Sequence, residues 1–490
     1  MSHGVKVAKN TLILIVAEPA RRLISLATVM LVARYLSVDD FGMYQFGMAI
    51  VSIVAVLAAF GTNAFVIREI AKDHHAAARL VGAVFSARIT MYLITAALLA
   101  GGVWLRGYSP VKFQVILLVA LGLLFTDMED VCVSIFDGFQ RMEFGALVAI
   151  FHAAVTLAAV VVVRAMHWDV RAMAAAYNAS HFASLCFALV LVGRYFTPLH
   201  LDFRVKTFLQ VAKAGWPFLT INILWITSFY IDKVMLGEMI DDKSVGYYGA
   251  AYRLYEVMIA VPILVGRALY PAFSAQVGAG DVDGMRQLFG RSIRIMAMIA
   301  LPMCVGTILT GTPFIVLLFG AKYAPSGLTL SILGGILWMF FLSTSGGWAL
   351  TAMNRLGWIF TANAIATTVN IAANLVLIPR YSFNGAAVVT GLSQLVLTIC
   401  YIALTQKELH VFHWNLVPWR PAIAVAVMGI GLYGGLHLLA ASTPLVQILV
   451  LVPAAAVLYV AGLFATGSLQ EADREMLRTV TARFRRTGAA

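Results

Sequence analysis

Arg21, Arg22, Arg88, Asp127, Glu129, Asp130, Asp232, Lys233, Arg253 and Glu256 all fall within or at the edge of long apolar runs. In hydrocarbon such charges are costly and persist mainly where they face a bundle interior or a wet cavity, so they mark ion or substrate paths. The densest group lies between Tyr230 and Glu256. Asp232 and Lys233 are sequence neighbours that point to different sides, and the expectation is that they pair with other helices and fix packing. Arg253 and Glu256 are three residues apart and share a helical face. Asp127 and Asp130 do so too, and with Glu256 they are the candidates for taking a proton or a cation in a coupled cycle. A plainer reading ends that span early and leaves the two aspartates in a solvated cluster with Asp137 and Arg141; the sequence favours it slightly.

Pro19, Pro217 and Pro262 lie in or near apolar segments, where a missing backbone donor kinks a helix and could let it gate. His74, His75, His410 and His413 sit in short loops without metal-ligand spacing, and the four cysteines stand alone, as buried small hydrophobes. No metal site and no cofactor is expected. No GxxxxGK[ST] loop is present to bind nucleotide.

The elements that must hold these charges follow from composition. The chain has 490 residues, 61% hydrophobic and 12% charged, with mean hydropathy +0.89, against roughly 45–50% and about 25% for a soluble chain. An all-α integral membrane protein is expected. A span needs about 20 mostly apolar residues, which places about fourteen transmembrane helices near 12–33, 42–66, 80–104, 113–135, 144–164, 172–194, 215–237, 245–271, 293–319, 328–352, 358–378, 385–405, 421–440 and 445–466. The connections are short, so a catalytic domain outside the membrane has no room. Lys and Arg divide roughly 21 to 8 between the two sides if both termini are cytoplasmic, the bias that sets orientation. The net charge of +12 is dispersed except in the tail, where Arg474, Arg478, Arg483, Arg485 and Arg486 gather. That distribution speaks for topology and against a nucleic-acid partner.

The two halves echo each other at an offset of about 204 residues. Phe41-Gly42-Met43-Tyr44 follows the pair Asp39-Asp40 as Val245-Gly246-Tyr247-Tyr248 follows Asp241-Asp242. An even number of spans separates the copies, so they have the same orientation. Parallel six-helix repeats are one way to build an alternating-access transporter with its site between lobes.

In these residues the chain resembles the polysaccharide flippases of the multidrug/oligosaccharidyl-lipid/polysaccharide exporter superfamily, the Wzx-type repeat-unit transporters. The resemblance rests on ARYLSVDDFGMYQF at Ala33–Phe46, IREIA at Ile67–Ala71, DKVMLG and VGYYGAAYRL within Asp232–Leu254, LLFGAKYAPS at Leu317–Ser326, and NLVLIPRYSFNGAA at Asn374–Ala387. It says little about the last two spans. Ser382 departs from it, standing where such sequences often carry Gly, and a positive φ would be less comfortable there.

The resemblance implies an N-terminal six-helix lobe at 1–200, a cytoplasmic linker at 201–214, a second lobe at 215–410, and two additional helices with a basic cytoplasmic tail at 411–490. It further implies a bacterial inner-membrane protein, not an enzyme, that carries polyprenyl-pyrophosphate-linked oligosaccharide from the inner to the outer leaflet through a basic central cavity. Its partners would be that substrate, membrane lipids and polysaccharide biosynthesis enzymes. Arginine suits a pyrophosphate because its guanidinium stays charged and donates several hydrogen bonds, so Arg22, Arg88 and Arg253, with Arg21 next, are the expected substrate ligands. With the cell interior negative, outward movement of negative charge is downhill by about 2.3 kcal/mol per charge per 100 mV, and the potential alone could drive export. The alternatives are a cation-coupled multidrug exporter of the same superfamily, resting on Asp127 and Asp130, a membrane-bound polysaccharide polymerase or ligase, and a scaffold acting through its basic tail.

Overall fold

A computed structural model describes residues 21–59, 61–74, 77–198, 201–203, 205–410 and 419–468. Among them there are fourteen α-helices and no strand. The helices are α1 (21–35), α2 (Val38–Ala59), α3 (Thr62–Lys72), α4 (Ala77–Arg106), α5 (Pro110–Gly138), α6 (Met142–Ala165), α7 (Val170–Tyr195), α8 (Val205–Met239), α9 (Asp242–Ala279), α10 (Val282–Phe319), α11 (Ser326–Ala352), α12 (Leu356–Leu409), α13 (Trp419–Leu438) and α14 (Pro444–Ala465). Ten of the described helices are long and apolar enough to cross a membrane. The protein is a multi-pass membrane protein.

Local chemistry sets the helix ends. Ser37 and Asp40 bond reciprocally at the start of α2, with Asp40 N–H donating to Ser37 Oγ at 3.0 Å and that hydroxyl donating to Asp40 Oδ2 at 2.7 Å. Such a pair satisfies a donor that the first helical turn leaves open. Ser109 followed by Pro110 starts α5, Asp169 caps α7, and Thr443 followed by Pro444 starts α14. Gly61, at φ 66°, breaks the expected second span into α2 and α3. The 54 residues of α12, at 1.5 Å each, reach about 81 Å, more than twice the roughly 30 Å hydrocarbon core. Ser382, with φ 50° and ψ −136°, divides them into the two spans expected there. Its positive φ is the one foreseen at a glycine-favouring position.

Three boundaries differ from expectation. Residues 205–214, expected as linker, begin α8, and the turn expected from Glu238 to Ser244 shrinks to 240–241 because α8 runs to Met239 and α9 starts at Asp242. α5 continues to Gly138, so the helix does not end early, and Asp127 is buried while Asp130 is exposed. Cys186 is exposed rather than buried. Pro19, the basic tail and the Pro217 side chain lie outside the described residues; Pro262 lies inside α9.

The chain forms two compact units, one of Met1–Arg253 with Thr367–Val389 and one of Leu254–Ala366 with Thr390–Ala490. The core of the first joins α3, α4, α5, α6 and α7 through Val66, Val84, Val131, Phe136, Val148 and Val192. In the second, Ala424, Met428, Leu451 and Tyr459 pack α13 on α14, and the Tyr459 hydroxyl donates to the Met298 carbonyl on α10 at 2.6 Å.

Candidate functional site

Within the first unit the repeated motifs meet each other. A Cβ on Gly42 would overlap the Asp242 carbonyl, and one on Gly246 would overlap the Val38 carbonyl. At the 204-residue offset Val38 corresponds to Asp242 and Gly42 to Gly246, so the two contacts are images of one another. One turn on, Gly249 faces Gln45, its own counterpart. Self-complementary contact of this kind is what a two-fold relation produces. The glycines in FG and VG are therefore required by backbone approach between α2 and α9.

Ionic contacts flank this junction. Lys112 Nζ lies 2.6 Å from Asp242 Oδ1 and 3.9 Å from the centre of the Phe46 ring. Arg106 Nε donates to Glu238 Oε2 at 2.8 Å, and Tyr108 donates to the other Glu238 oxygen. Burial, and then the Glu238 carboxylate, raise the Tyr108 pKa, so the phenol remains a donor. The Tyr35 hydroxyl donates to the Trp168 carbonyl at 2.6 Å, and Ser382 Oγ donates to Ser244 Oγ at 3.0 Å. These bonds draw the turns beside α1, α4, α5, α8 and α9, and the bend of α12, into one closed end. Lys112, Glu238 and Asp242 were not legible as partners, because each pair is about 130 residues apart.

Deeper in the unit, the expected substrate arginines separate. Arg253 on α9 donates to Ser25 Oγ on α1 at 2.6 Å. Ser25 is four residues from Arg21 and three from Arg22, spacings that share a helical face, so Arg253 reaches the part of α1 that carries both. Arg21, Arg22 and Arg253 are all half-buried. Arg88 is not brought there. It is 1% exposed; its Nη1 donates to the Asp127 carboxylate and carbonyl at 2.7 Å, Nε and Nη2 donate to Thr62 Oγ1 at 2.9 and 2.7 Å, and Nη2 donates to Asn63 Oδ1 at 2.5 Å. Its guanidinium is committed to α3 and α5, which corrects the expectation of a solvated Asp127.

Asp232 is 1% exposed and accepts from Tyr248 on α9 and from Asn374 on α12, each at 2.7 Å. Lys233 lies 5.0 Å above the Tyr252 ring. The adjacent charges thus turn to separate neighbours, and Asp232 ties α8 to the 367–389 segment. Asp130 is exposed, and Glu256 is half-buried in the other unit.

One group was missed entirely. Glu129 on α5, His152 on α6 and His181 on α7 place one ligand atom each within 4.8 Å of one another. Separations of 23 and 29 residues carry no metal-ligand signal in a sequence; three packed helices create the juxtaposition.

A family model described as polysaccharide biosynthesis protein matches residues 7–276, and one described as MatE matches residues 217–376. The chain is 21% identical over 404 residues to the "Probable low-salt glycan biosynthesis flippase Agl15" of Haloferax volcanii, covering 81% of this chain and 83% of that one. It is 25% identical over 199 residues to the "Probable flippase AglR" of the same organism, covering 40% of this chain and 41% of AglR. Among solved structures, lipid II flippase MurJ in an inward closed conformation superposes with TM-score 0.75 at 13% identity, covering 91% of this chain and 97% of MurJ. An inward-facing multidrug resistance MATE transporter superposes with TM-score 0.66 at 16% identity, covering 80% and 94%. The fold is that of MurJ and the MATE transporters, and the chain belongs to the polysaccharide biosynthesis protein family.

Proposed function

We propose that this protein is a flippase that moves polyprenyl-pyrophosphate-linked oligosaccharide from the inner to the outer leaflet of the cell membrane by alternating access. The similarity to Agl15 and AglR, named as flippases, and to MurJ supports the transport class. The observation that carries the site is the hydrogen bond from Arg253 to Ser25, which gathers Arg253 with the Arg21–Arg22 face of α1. Those guanidiniums bind the pyrophosphate, and the six-helix repeats at 1–200 and 215–410 rock around it. With both termini cytoplasmic, the closed end faces outward and must open for the glycan to leave. Arg88 serves as an anchor for α3, α4 and α5. Membrane lipids accept the prenyl tail, and the enzymes that build and polymerise the repeat unit are the functional partners.

The exporter alternative draws less support, because its Asp127 carboxylate is held by Arg88. In the decisive experiment, Arg22→Ala and Arg253→Ala are expressed in cells whose inner-leaflet lipid-linked oligosaccharide is quantified, with membrane insertion checked. A charge-assisted hydrogen bond contributes about 1.5–3 kcal/mol, so flipping should slow roughly 10- to 100-fold and intermediates should accumulate. Normal surface glycan in both variants would overturn the reading.

A further inference from the structure

Two threonines contact the mid-helix histidines. Thr126 Oγ1 donates its single proton to the Gly122 carbonyl at 3.1 Å and lies 3.0 Å from His181 Nδ1. A threonine hydroxyl bonded back to its own i−4 carbonyl accepts from the imidazole, and in that arrangement His181 Nε2 keeps the lone pair. Thr156 repeats the arrangement: its hydroxyl donates to the His152 carbonyl at 2.8 Å and lies 3.3 Å from His152 Nε2. The other ring nitrogen, Nδ1, is left buried without a bond of ordinary geometry among the described residues. A hydrogen bond on the far nitrogen is how proteins fix the tautomer and orientation of a metal-binding imidazole.

The atoms left as Lewis bases are the ones without partners. His181 Nε2, His152 Nδ1 and Glu129 Oε2 are buried and make no hydrogen bond of ordinary geometry among the described residues. The Ser184 hydroxyl also approaches the Glu129 carboxylate and the Ser180 carbonyl approaches the His152 ring, contacts that a bound ion has to displace. The two rings lie 4.0 Å apart between centroids, tilted by 31°. His152 is the eleventh residue of the 24 in α6 and His181 the twelfth of the 26 in α7, so both lie at mid-depth. Buried polar atoms are normally bonded, and groups of exceptions ask for a missing partner.

We propose that Glu129, His152 and His181 form a binding site for a divalent transition-metal ion of the zinc class. Two imidazoles and a carboxylate with a fourth position for water or an anionic oxygen is an established zinc donor set. Metal–ligand bonds near 2.0–2.1 Å place tetrahedral ligand atoms about 3.4 Å apart, so a spread within 4.8 Å closes by side-chain rotation alone. The cation meets three lone pairs and neutralises the Glu129 charge in a low-dielectric setting. Asp130 adds attraction, while Arg21, whose charge acts on His152, opposes it. The ion would staple α5, α6 and α7, adding to the Arg88–Asp127 pair and the Thr126–His181 contact nearby.

The test uses full-length protein carrying a histidine-free affinity tag, stripped of metal in detergent and titrated with Zn²⁺ in calorimetry and with Co²⁺ in visible absorption. One equivalent should bind, with the Co²⁺ bands of a four-coordinate ion. His181→Ala and Glu129→Gln should abolish the stoichiometric phase, and Thr126→Val, which releases the tautomer, should weaken affinity about 10- to 100-fold. X-ray absorption of the Zn²⁺-loaded wild type should show two imidazole ligands, a readout that does not depend on variant folding. No stoichiometric binding by the wild type, unchanged binding in the variants, or a spectrum without imidazole would overturn the site. A proton shared between Glu129 and His152 would leave the cluster metal-free and count against the proposal. None of these outcomes bears on flipping, which is measured separately.

Discussion

Arg88 and Arg253 are the same residue type in the same kind of apolar helix, yet their surroundings differ. Arg88 is enclosed by Thr62, Asn63 and Asp127, which use all three guanidinium nitrogens. Arg253 is half-buried and reaches across to α1. A buried arginine whose donors are matched fastens helices; one that shares a face with other cations can attract an anion. What separates them in the structure is burial: Arg88 is 1% exposed, while Arg253 is half-buried.

The largest effect expected from breaking this contrast is on stability. Arg88→Ala strands the Asp127 carboxylate, and removing one partner of a buried pair costs about 3–5 kcal/mol. Thermal denaturation of the purified protein should show it, and Arg88→Met combined with Asp127→Leu should recover most of the loss. If Arg88→Ala kept its melting temperature and lost transport alone, the two arginines would belong to one site. Next in size are the 10- to 100-fold losses of flipping expected for Arg22→Ala and Arg253→Ala, here with the melting temperature unchanged.

The comparison sharpens at the closed end, because α9 carries both Arg253 and the glycine junction. Gly42→Ala drives a methyl into the Asp242 carbonyl, and overpacking of this sort costs about 1–3 kcal/mol. The closed end should then open more often, so that a cysteine placed at Gln45 reacts faster with an impermeant maleimide added outside. Unchanged labelling would mean that the junction does not control access. The smallest effect is expected at the neighbouring bend, where Ser382 holds a φ that favours glycine. Ser382→Gly should relieve strain of about 1 kcal/mol, offset in part by loss of the hydroxyl bond to Ser244, and raise the melting temperature slightly while leaving Arg88 undisturbed.

Much of the molecule was legible in the chain itself. Apolar run lengths are set by bilayer thickness, so the spans could be read wherever a run exceeded one helical crossing, and Ser382 could be suspected of a positive φ. The repeat at Gly42 and Gly246 was visible too, although its reason was not: only packing shows that the two copies touch through each other's carbonyls. Charge roles were the least legible. Asp127 looked solvated because its helix seemed to end, and its burial depends on Arg88 39 residues earlier.

What the sequence by itself determined is therefore the class and layout: an all-α membrane protein with internally repeated helices and a small set of intramembrane charges, because hydropathy and periodicity act over a single helix. The tertiary structure alone decided which charges are neutralised and which atoms are left open. Arg88 became bonded to α3 and α5, Lys112 and Asp242 became an ion pair, and Glu129, His152 and His181 became a cluster. Those outcomes depend on distances of a few ångströms between helices far apart in the chain, and no local pattern encodes them.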